Sequence, residues 1–195
     1  MNYAYILTLL LLSLSACGPG PSSDQQQSDE PALDPAAALS EDDILLSLSA
    51  AMTTDTSRAG RERNAIIGYA LENLQPLDYT NSGLFYHILA PGEGEAIVWG
   101  DYLRAHYRGA FLDGKVFADS RALDRPLEFY VGNMIDGWNE GLQLIAPGGK
   151  MILLVPSALG YGADGLVTSR GDTLVPAHAI LRFEIEVLER LERAE

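Results

Sequence analysis

The chain has 195 residues, of which 47% are hydrophobic, and a formal net charge of −14. This length suits one ordinary domain with accessory segments, because typical domains run to about 100–150 residues. The acidic balance argues against a nucleic-acid partner, since phosphate binding needs clustered Lys and Arg side chains. With Cys17 as its single cysteine, the chain cannot form an intramolecular disulfide.

Residues 1–16 are predicted to be a secretory signal peptide. Their apolar run is shorter than the ~20 residues of a membrane-spanning helix and ends in small residues. Leu14-Ser15-Ala16-Cys17 resembles the lipobox of bacterial lipoproteins. The resemblance implies that cleavage leaves Cys17 as an acylated N-terminus, held stably at a membrane by several acyl chains. An ordinary signal peptide with a chance cysteine is the alternative, because residues 1–16 contain no Lys or Arg.

Two segments are predicted between the signal peptide and the main domain. Residues 17–35 indicate a flexible acidic linker, because they are rich in Gly, Pro, Ser, Gln and Asp. Residues 36–82 predict helices: a capping box begins at Ser40, and Arg58 to Asn73 carries apolar residues at helical spacing. We expect these helices to pack on the following domain of the same chain, and a homodimer formed through them stays open.

Residues 83–195 are predicted to form an α+β domain of about five strands and one short helix. Tyr102 to Phe111 alternates apolar and polar residues, which is typical of a half-buried antiparallel strand. Asp113-Gly114 follows as a hairpin turn signal. Similar patterns predict further strands at Leu127 to Val131, Lys150 to Val155 and Ile180 to Leu188. A helical pattern predicts one helix at Trp138 to Ile145, between the first two of these strands.

The predicted domain offers few groups for covalent or acid–base chemistry. Its three histidines, at positions 87, 106 and 178, lack the spacing of a metal site. The glycine-rich stretch at 160–165 lacks the Lys-Ser/Thr pair of a phosphate loop. We therefore expect no metal and no cofactor, and a reaction that needs neither a nucleophile nor an acid or base.

Six short motifs follow one another in residues 83–192, namely His106-Tyr107-Arg108-Gly109, Asp113-Gly114-Lys115-Val116-Phe117, Ile135–Leu142, Val155-Pro156, Gly160-Tyr161-Gly162 and Pro176–Phe183. Each motif is weak by itself, but the ordered set is specific. In their order and on their predicted elements, they resemble the FKBP family of peptidyl-prolyl cis-trans isomerases.

The resemblance implies a curved antiparallel sheet wrapped around one short helix, with the N-terminal helices outside it and an apolar pocket between sheet and helix. It implies a floor made by Trp138 and two donors to substrate, the Ile135 backbone N–H and the Tyr161 hydroxyl. The pocket residues that it carries over to this chain are Tyr107, Phe117, Phe129, Met134, Ile135, Trp138, Tyr161 and Phe183, with Asp119 and Val175 as auxiliary residues. Alternation alone would make Phe129 and Phe183 core residues.

The chain departs from the family pattern at three places. Ala118 stands where many members carry an Asp, and Asp119, one residue later, would reach the pocket only after a bulge, because neighbouring strand residues face opposite ways. Leu127 replaces an aromatic residue, and the long loop at 164–173 is expected to overhang the site. Macrolide binding, catalytic efficiency and sequence preference depend on these positions.

The function implied is isomerisation of prolyl bonds in unfolded or secreted polypeptides, in a bacterial envelope, by a lipid-anchored protein. The residue after Cys17 is Gly18 and not the aspartate associated with retention in the inner membrane. This favours the outer membrane, facing the periplasm, as the location. A non-catalytic or weakly catalytic chaperone that uses the same pocket is the alternative. An interaction protein that works through the N-terminal helices is a third hypothesis.

Overall fold

The computed structural model describes residues 39–192, so the predicted signal peptide, Cys17 and the linker lie outside the described residues. The helices in this range are α1 (Glu41–Ala50), α2 (Arg58–Glu72) and α3 (Asp136–Gly141), with 3-10 turns at Leu142–Leu144 and Ser157–Leu159. The strands are β1 (Asp78–Tyr79), β2 (Phe85–Ala90), β3 (Tyr102–Phe111), β4 (Val116–Asp119), β5 (Leu127–Tyr130), β6 (Lys150–Val155), β7 (Leu166–Val167), β8 (Thr173–Val175) and β9 (Leu181–Leu191). None of these helices is long and apolar enough to cross a membrane.

Both N-terminal helices begin at a serine cap. The Ser40 hydroxyl accepts a hydrogen bond from the Asp43 N–H at 3.2 Å, and the Asp43 carboxylate accepts one from the Ser40 N–H at 3.3 Å. This reciprocal pair is the predicted capping box. α2 begins after Ser57, whose hydroxyl accepts from the Gly60 N–H at 3.2 Å.

Seven antiparallel strands of the described residues form one sheet, in the order β1-β2-β6-β9-β3-β4, with β5 also paired to β3. β7 and β8 pair separately as a two-stranded hairpin. The antiparallel α+β fold predicted from the sequence is confirmed, and β3 has the predicted bounds. The predicted number of strands, about five, was too low, because strands of two to four residues such as β1 and β4 are too short to show a clear alternation.

α3 lies close against β6 because two glycines face that strand. A Cβ atom on Gly137 would stand 2.7 Å from Cγ1 of Val155, and one on Gly141 would stand 2.7 Å from Cδ2 of Leu153. This close approach places Trp138 in the main core, together with inward residues of the surrounding strands. The helix begins two residues before the predicted start and continues as a 3-10 turn.

α1 and α2 cover the outer face of β2 and β6. Ile66 and Ile67 of α2 are fully buried in a second cluster with Phe85 and Leu154, whose strand neighbours point into the main core instead. The Arg63 guanidinium lies over the Phe85 ring, 5.4 Å from its centroid. The helices therefore pack on the sheet of their own chain, while the domain boundaries given above stay predictions.

Candidate active site

Aromatic rings surround Trp138, whose side chain is only 1% exposed. Its ring centroid lies 5.3 Å from Tyr107, 5.6 Å from Phe129 and 5.3 Å from Phe183, and all three pairs are edge-to-face. Phe117 extends the group at 5.8 Å from Phe183, again edge-to-face. Edge-to-face packing is a favourable geometry for such rings, so this aromatic box is well packed.

Gly109 on β3 makes room for one wall of the box. A Cβ atom at this position would stand 2.7 Å from Cζ of Phe117 and 3.0 Å from Cε1 of Phe183. Both rings therefore pack directly on the backbone of β3. The glycine belongs to one of the motifs of the FKBP resemblance, and the structure gives it a physical role.

The box opens into a pocket of about 260 Å³. Seven of the eight predicted pocket residues line it, namely Tyr107, Phe117, Met134, Ile135, Trp138, Tyr161 and Phe183. The eighth, Phe129, is 7% exposed and packs edge-to-face on Trp138 without lining the pocket. The lining contains no charged side chain and no histidine.

Asn139 of α3 holds the loop that carries Met134 and Ile135. Its side-chain oxygen accepts hydrogen bonds from the Gly132 N–H at 2.7 Å and the Met134 N–H at 3.3 Å. Its side-chain nitrogen donates to the Met134 carbonyl at 2.7 Å. Because Asn139 is only 4% exposed, these bonds form away from water and fix the loop backbone. Sequence reasoning missed this role, although the residue lies within the Ile135–Leu142 motif.

Ile135 precedes the first turn of α3 and lines the pocket. Its carbonyl accepts the Trp138 and Asn139 N–H groups at 3.0 and 3.1 Å. Its own N–H donates no hydrogen bond to any other described residue. This backbone donor is therefore available to a carbonyl oxygen that enters the pocket.

Tyr161 lines the pocket on another side, in the segment after β6. Its hydroxyl makes no hydrogen bond within residues 39–192, and its carbonyl accepts the Gly165 N–H at 3.0 Å. Burial raises the pKa of the Tyr161 hydroxyl above its ordinary value, and the neighbouring Tyr107 adds to the effect. The phenol therefore stays protonated at neutral pH and is a second available donor.

The two auxiliary residues lie outside the pocket lining. The Asp119 carboxylate accepts hydrogen bonds from the Arg121 and Ala122 N–H groups at 2.9 and 3.0 Å, and it borders a neighbouring groove of about 660 Å³. Ala118 lines the pocket instead, as the alternation of strand residues requires. Val175 is 1% exposed and belongs to the core.

The hairpin of β7 and β8 supplies two pocket residues that sequence reasoning did not name. Leu166 and Leu174 both line the pocket, so the long loop between residues 164 and 173 overhangs the site as predicted. Each leucine precedes a valine, and such Leu-Val pairs were the available sequence signal for two short strands. Whether strands this short pair with each other depends on the rest of the fold.

The arrangement suits non-covalent stabilisation of an apolar group. In the part of the chain that the structure describes, no three His, Cys, Asp or Glu side chains come together as a metal site would require. The pocket is lined by aromatic rings, aliphatic side chains and Asn133, and the Ile135 N–H and the Tyr161 hydroxyl are among its donors without a partner in the described residues. Such a site can bind a small ring, hold a carbonyl and exclude water, and its lining offers no carboxylate, imidazole, amine or thiol for proton transfer or nucleophilic attack.

Residues 93–188 match the protein family described as FKBP-type peptidyl-prolyl cis-trans isomerase. The crystal structure of AtFKBP13 is similar with a TM-score of 0.54 at 33% identity, over 59% of this chain and 98% of that chain. The chain belongs to the FKBP family. The predicted family and fold are thereby confirmed, and the aromatic box lies within the matched FKBP region.

Two curated bacterial relatives extend the comparison. The probable FKBP-type peptidyl-prolyl cis-trans isomerase of Haemophilus influenzae is 40% identical over 110 residues, which cover 56% of this chain and 44% of that protein. The FKBP-type 22 kDa peptidyl-prolyl cis-trans isomerase of Escherichia coli is 38% identical over 127 residues, or 64% of this chain and 59% of that protein. The chain thus spans about half the length of the curated relatives it matches.

Proposed function

We propose that this chain is a peptidyl-prolyl cis-trans isomerase that assists the folding of exported or envelope proteins. The observation that carries the proposal is the uncharged aromatic pocket, with the Ile135 N–H and the Tyr161 hydroxyl unpaired among the described residues that surround it. Membership of the FKBP family supports it, because the relatives are named for this reaction.

The physics of the amide explains how such a pocket can accelerate the reaction. Rotation about a peptide bond has a barrier of about 18–20 kcal/mol, because resonance moves charge from nitrogen to oxygen in the planar state. Twisting removes that resonance, so the transition state is less polar than the ground state. A water-excluding aromatic pocket therefore favours the twisted bond relative to water, and about 1.4 kcal/mol of this preference gives a tenfold acceleration.

In this mechanism the pocket residues have separate roles. Trp138 contacts the proline ring from below, and the surrounding rings keep water out. The Ile135 N–H binds a backbone carbonyl of the substrate and sets its register. The Tyr161 hydroxyl donates a second hydrogen bond, so the segment is held on both sides while the prolyl bond rotates.

A protease-coupled isomerisation assay on a short X–Pro peptide tests the proposal with the whole chain. The wild type should accelerate cis-to-trans conversion, and Tyr161→Phe and Trp138→Leu should each lower kcat/KM while the fold is retained. Tyr130→Phe is the matched control, because Tyr130 stacks on Tyr102 outside the pocket. No acceleration by a folded wild-type chain would overturn the enzyme hypothesis, and unchanged rates in both pocket variants would mean that the site is elsewhere.

A chaperone or peptide-binding module with the same pocket is the second candidate. It is favoured by Ala118 and the overhanging leucines, which leave the pocket wall without an acidic group. In that case the chain would suppress aggregation of a proline-containing unfolded protein with no acceleration of X–Pro isomerisation. Macrolide binding also stays a prediction, which a change in the tryptophan fluorescence of the chain on titration would measure.

We further propose that a lipid on Cys17 anchors the protein to a bacterial envelope membrane, with the outer membrane facing the periplasm as the location. The support is the lipobox-like Leu14-Ser15-Ala16-Cys17 at the end of an apolar run. Cys17→Ala should release the chain from the membrane fraction, whereas continued sedimentation of that variant with membranes would contradict acylation. A homodimer through the N-terminal helices is a separate prediction, which sedimentation equilibrium tests.

A further inference from the structure

Glu62 is a buried carboxylate on α2, although it stands between two arginines in the sequence. It is 8% exposed, and its two oxygens accept hydrogen bonds from one residue 95 positions away. Oε2 accepts from the Ser157 N–H at 2.8 Å, and Oε1 accepts from the Ser157 hydroxyl at 2.7 Å. A buried carboxylate is tolerated only when it is hydrogen-bonded in this way, so the pair is a specific feature of the fold.

Ser157 in turn binds the backbone N–H groups of the two residues that flank Tyr161. Its carbonyl oxygen accepts the Gly160 N–H at 3.1 Å and the Gly162 N–H at 2.9 Å. Ser157 is 2% exposed, so its side chain and backbone are largely covered by other residues. One residue therefore connects the α2 carboxylate to the backbone that sets the position of the Tyr161 ring.

α2 is a rigid support for this connection. Ile66 and Ile67 are fully buried against the sheet, and the Arg63 side chain donates to the Ala51 carbonyl at 2.6 Å. Asn64 makes two hydrogen bonds with the Thr53 backbone, at 2.9 and 2.8 Å. The helix and the loop before it are thus fixed, and the carboxylate has a defined position relative to the sheet.

We propose that Glu62 is a positioning residue for the isomerase pocket, which it serves through Ser157 by fixing the turn that carries Tyr161. This inference rests on the proposed isomerase function. It makes α2, which lies outside the FKBP match, a working part of the catalytic unit. A structural bond that merely attaches the helix is the competing interpretation.

A double-mutant cycle separates these interpretations. Because Glu62 acts through Tyr161, Glu62→Ala should lower kcat/KM about three- to tenfold in the wild type but less than about twofold in a Tyr161→Phe background. Glu62→Gln keeps an oxygen acceptor for the Ser157 N–H and should restore part of the loss. Glu72→Ala, on an exposed position of the same helix, is the matched control and should leave kcat/KM unchanged.

The Glu62 variants should remain folded. A cavity of about 730 Å³ borders both Glu62 and Ser157, so water can enter the space left by the shortened side chain and bind the Ser157 N–H and hydroxyl. Equal losses of kcat/KM in the wild-type and Tyr161→Phe backgrounds, or no loss in either, would overturn the proposal.

Amide hydrogen exchange of the whole chain gives a readout that does not depend on activity. The Gly160 and Gly162 amides should exchange faster in Glu62→Ala and not in Glu72→Ala, whereas the Gly132 amide should be unaffected. Unchanged protection of Gly160 and Gly162 would overturn the positioning role even in an active enzyme. If the wild type proves inactive, the proposed function fails, and the exchange rates still decide whether Glu62 fixes the turn.

Discussion

The segments that carry Ile135 and Tyr161, the two donors to the pocket, differ in how far along the chain their supporting residues lie. The loop with Met134 and Ile135 is fixed by Asn139, whose partners lie five to seven residues away. The turn with Tyr161 is fixed by Ser157, which depends on Glu62, 95 residues earlier. One side of the site is therefore a local unit of α3, while the other requires a helix outside the matched FKBP region.

Asn139→Ala tests the local side and should have the largest effect. The substitution removes three hydrogen bonds and leaves the Gly132 N–H, the Met134 N–H and the Met134 carbonyl without partners at partly buried positions, so the free energy of unfolding should fall by about 2–4 kcal/mol. Urea denaturation measures this change. Asn133→Ala is the matched control, because the exposed Asn133 side chain makes no hydrogen bond within the described residues. A loss in Asn139→Ala no larger than in this control would show that the loop does not depend on Asn139.

Ile66→Val loosens the packing of α2 on the sheet and tests the side of the site that carries Tyr161, with a smaller expected effect than Asn139→Ala. The removal of one methylene group from a fully buried side chain should lower the free energy of unfolding by about 0.5–1.5 kcal/mol. Amide exchange should rise at Gly162 more than at Gly132, because only the Tyr161 turn depends on α2. Leu46→Ala changes a side chain that is 73% exposed and is the control for both measurements. Equal changes at the two glycines would mean that the two sides are not independently supported.

The pH dependence of kcat/KM should show the smallest change. In the proposed mechanism the protonated form of Tyr161 is the active one, and burial raises the pKa of its hydroxyl above the ordinary value. The rate should therefore stay level from about pH 7 to about pH 10 and fall only at higher pH. An alkaline fall centred below about pH 10 that disappears in Tyr161→Phe would contradict this assignment.

Several features of the fold could be predicted from short stretches of sequence. The capping box at Ser40, the bounds of β3 and the turn at Asp113-Gly114 depend on residues a few positions apart. The aromatic set was predictable as well, but only because ordered motifs resembled a known family. Alternation by itself could not distinguish a pocket wall from a core, since Phe183 belongs to both.

Other features depended on how distant elements pack. Glu62 appears in the sequence as one charge on a solvated helix face, and only the docking of α2 on the sheet buries it beside Ser157. Leu166 and Leu174 become pocket residues because a separate two-stranded hairpin forms over the site. The sequence thus determined the longer local elements and the family, and through the family resemblance the set of rings. The tertiary structure alone decided what holds Tyr161, because a hydrogen bond across 95 residues forms only once the packed core has brought its partners together.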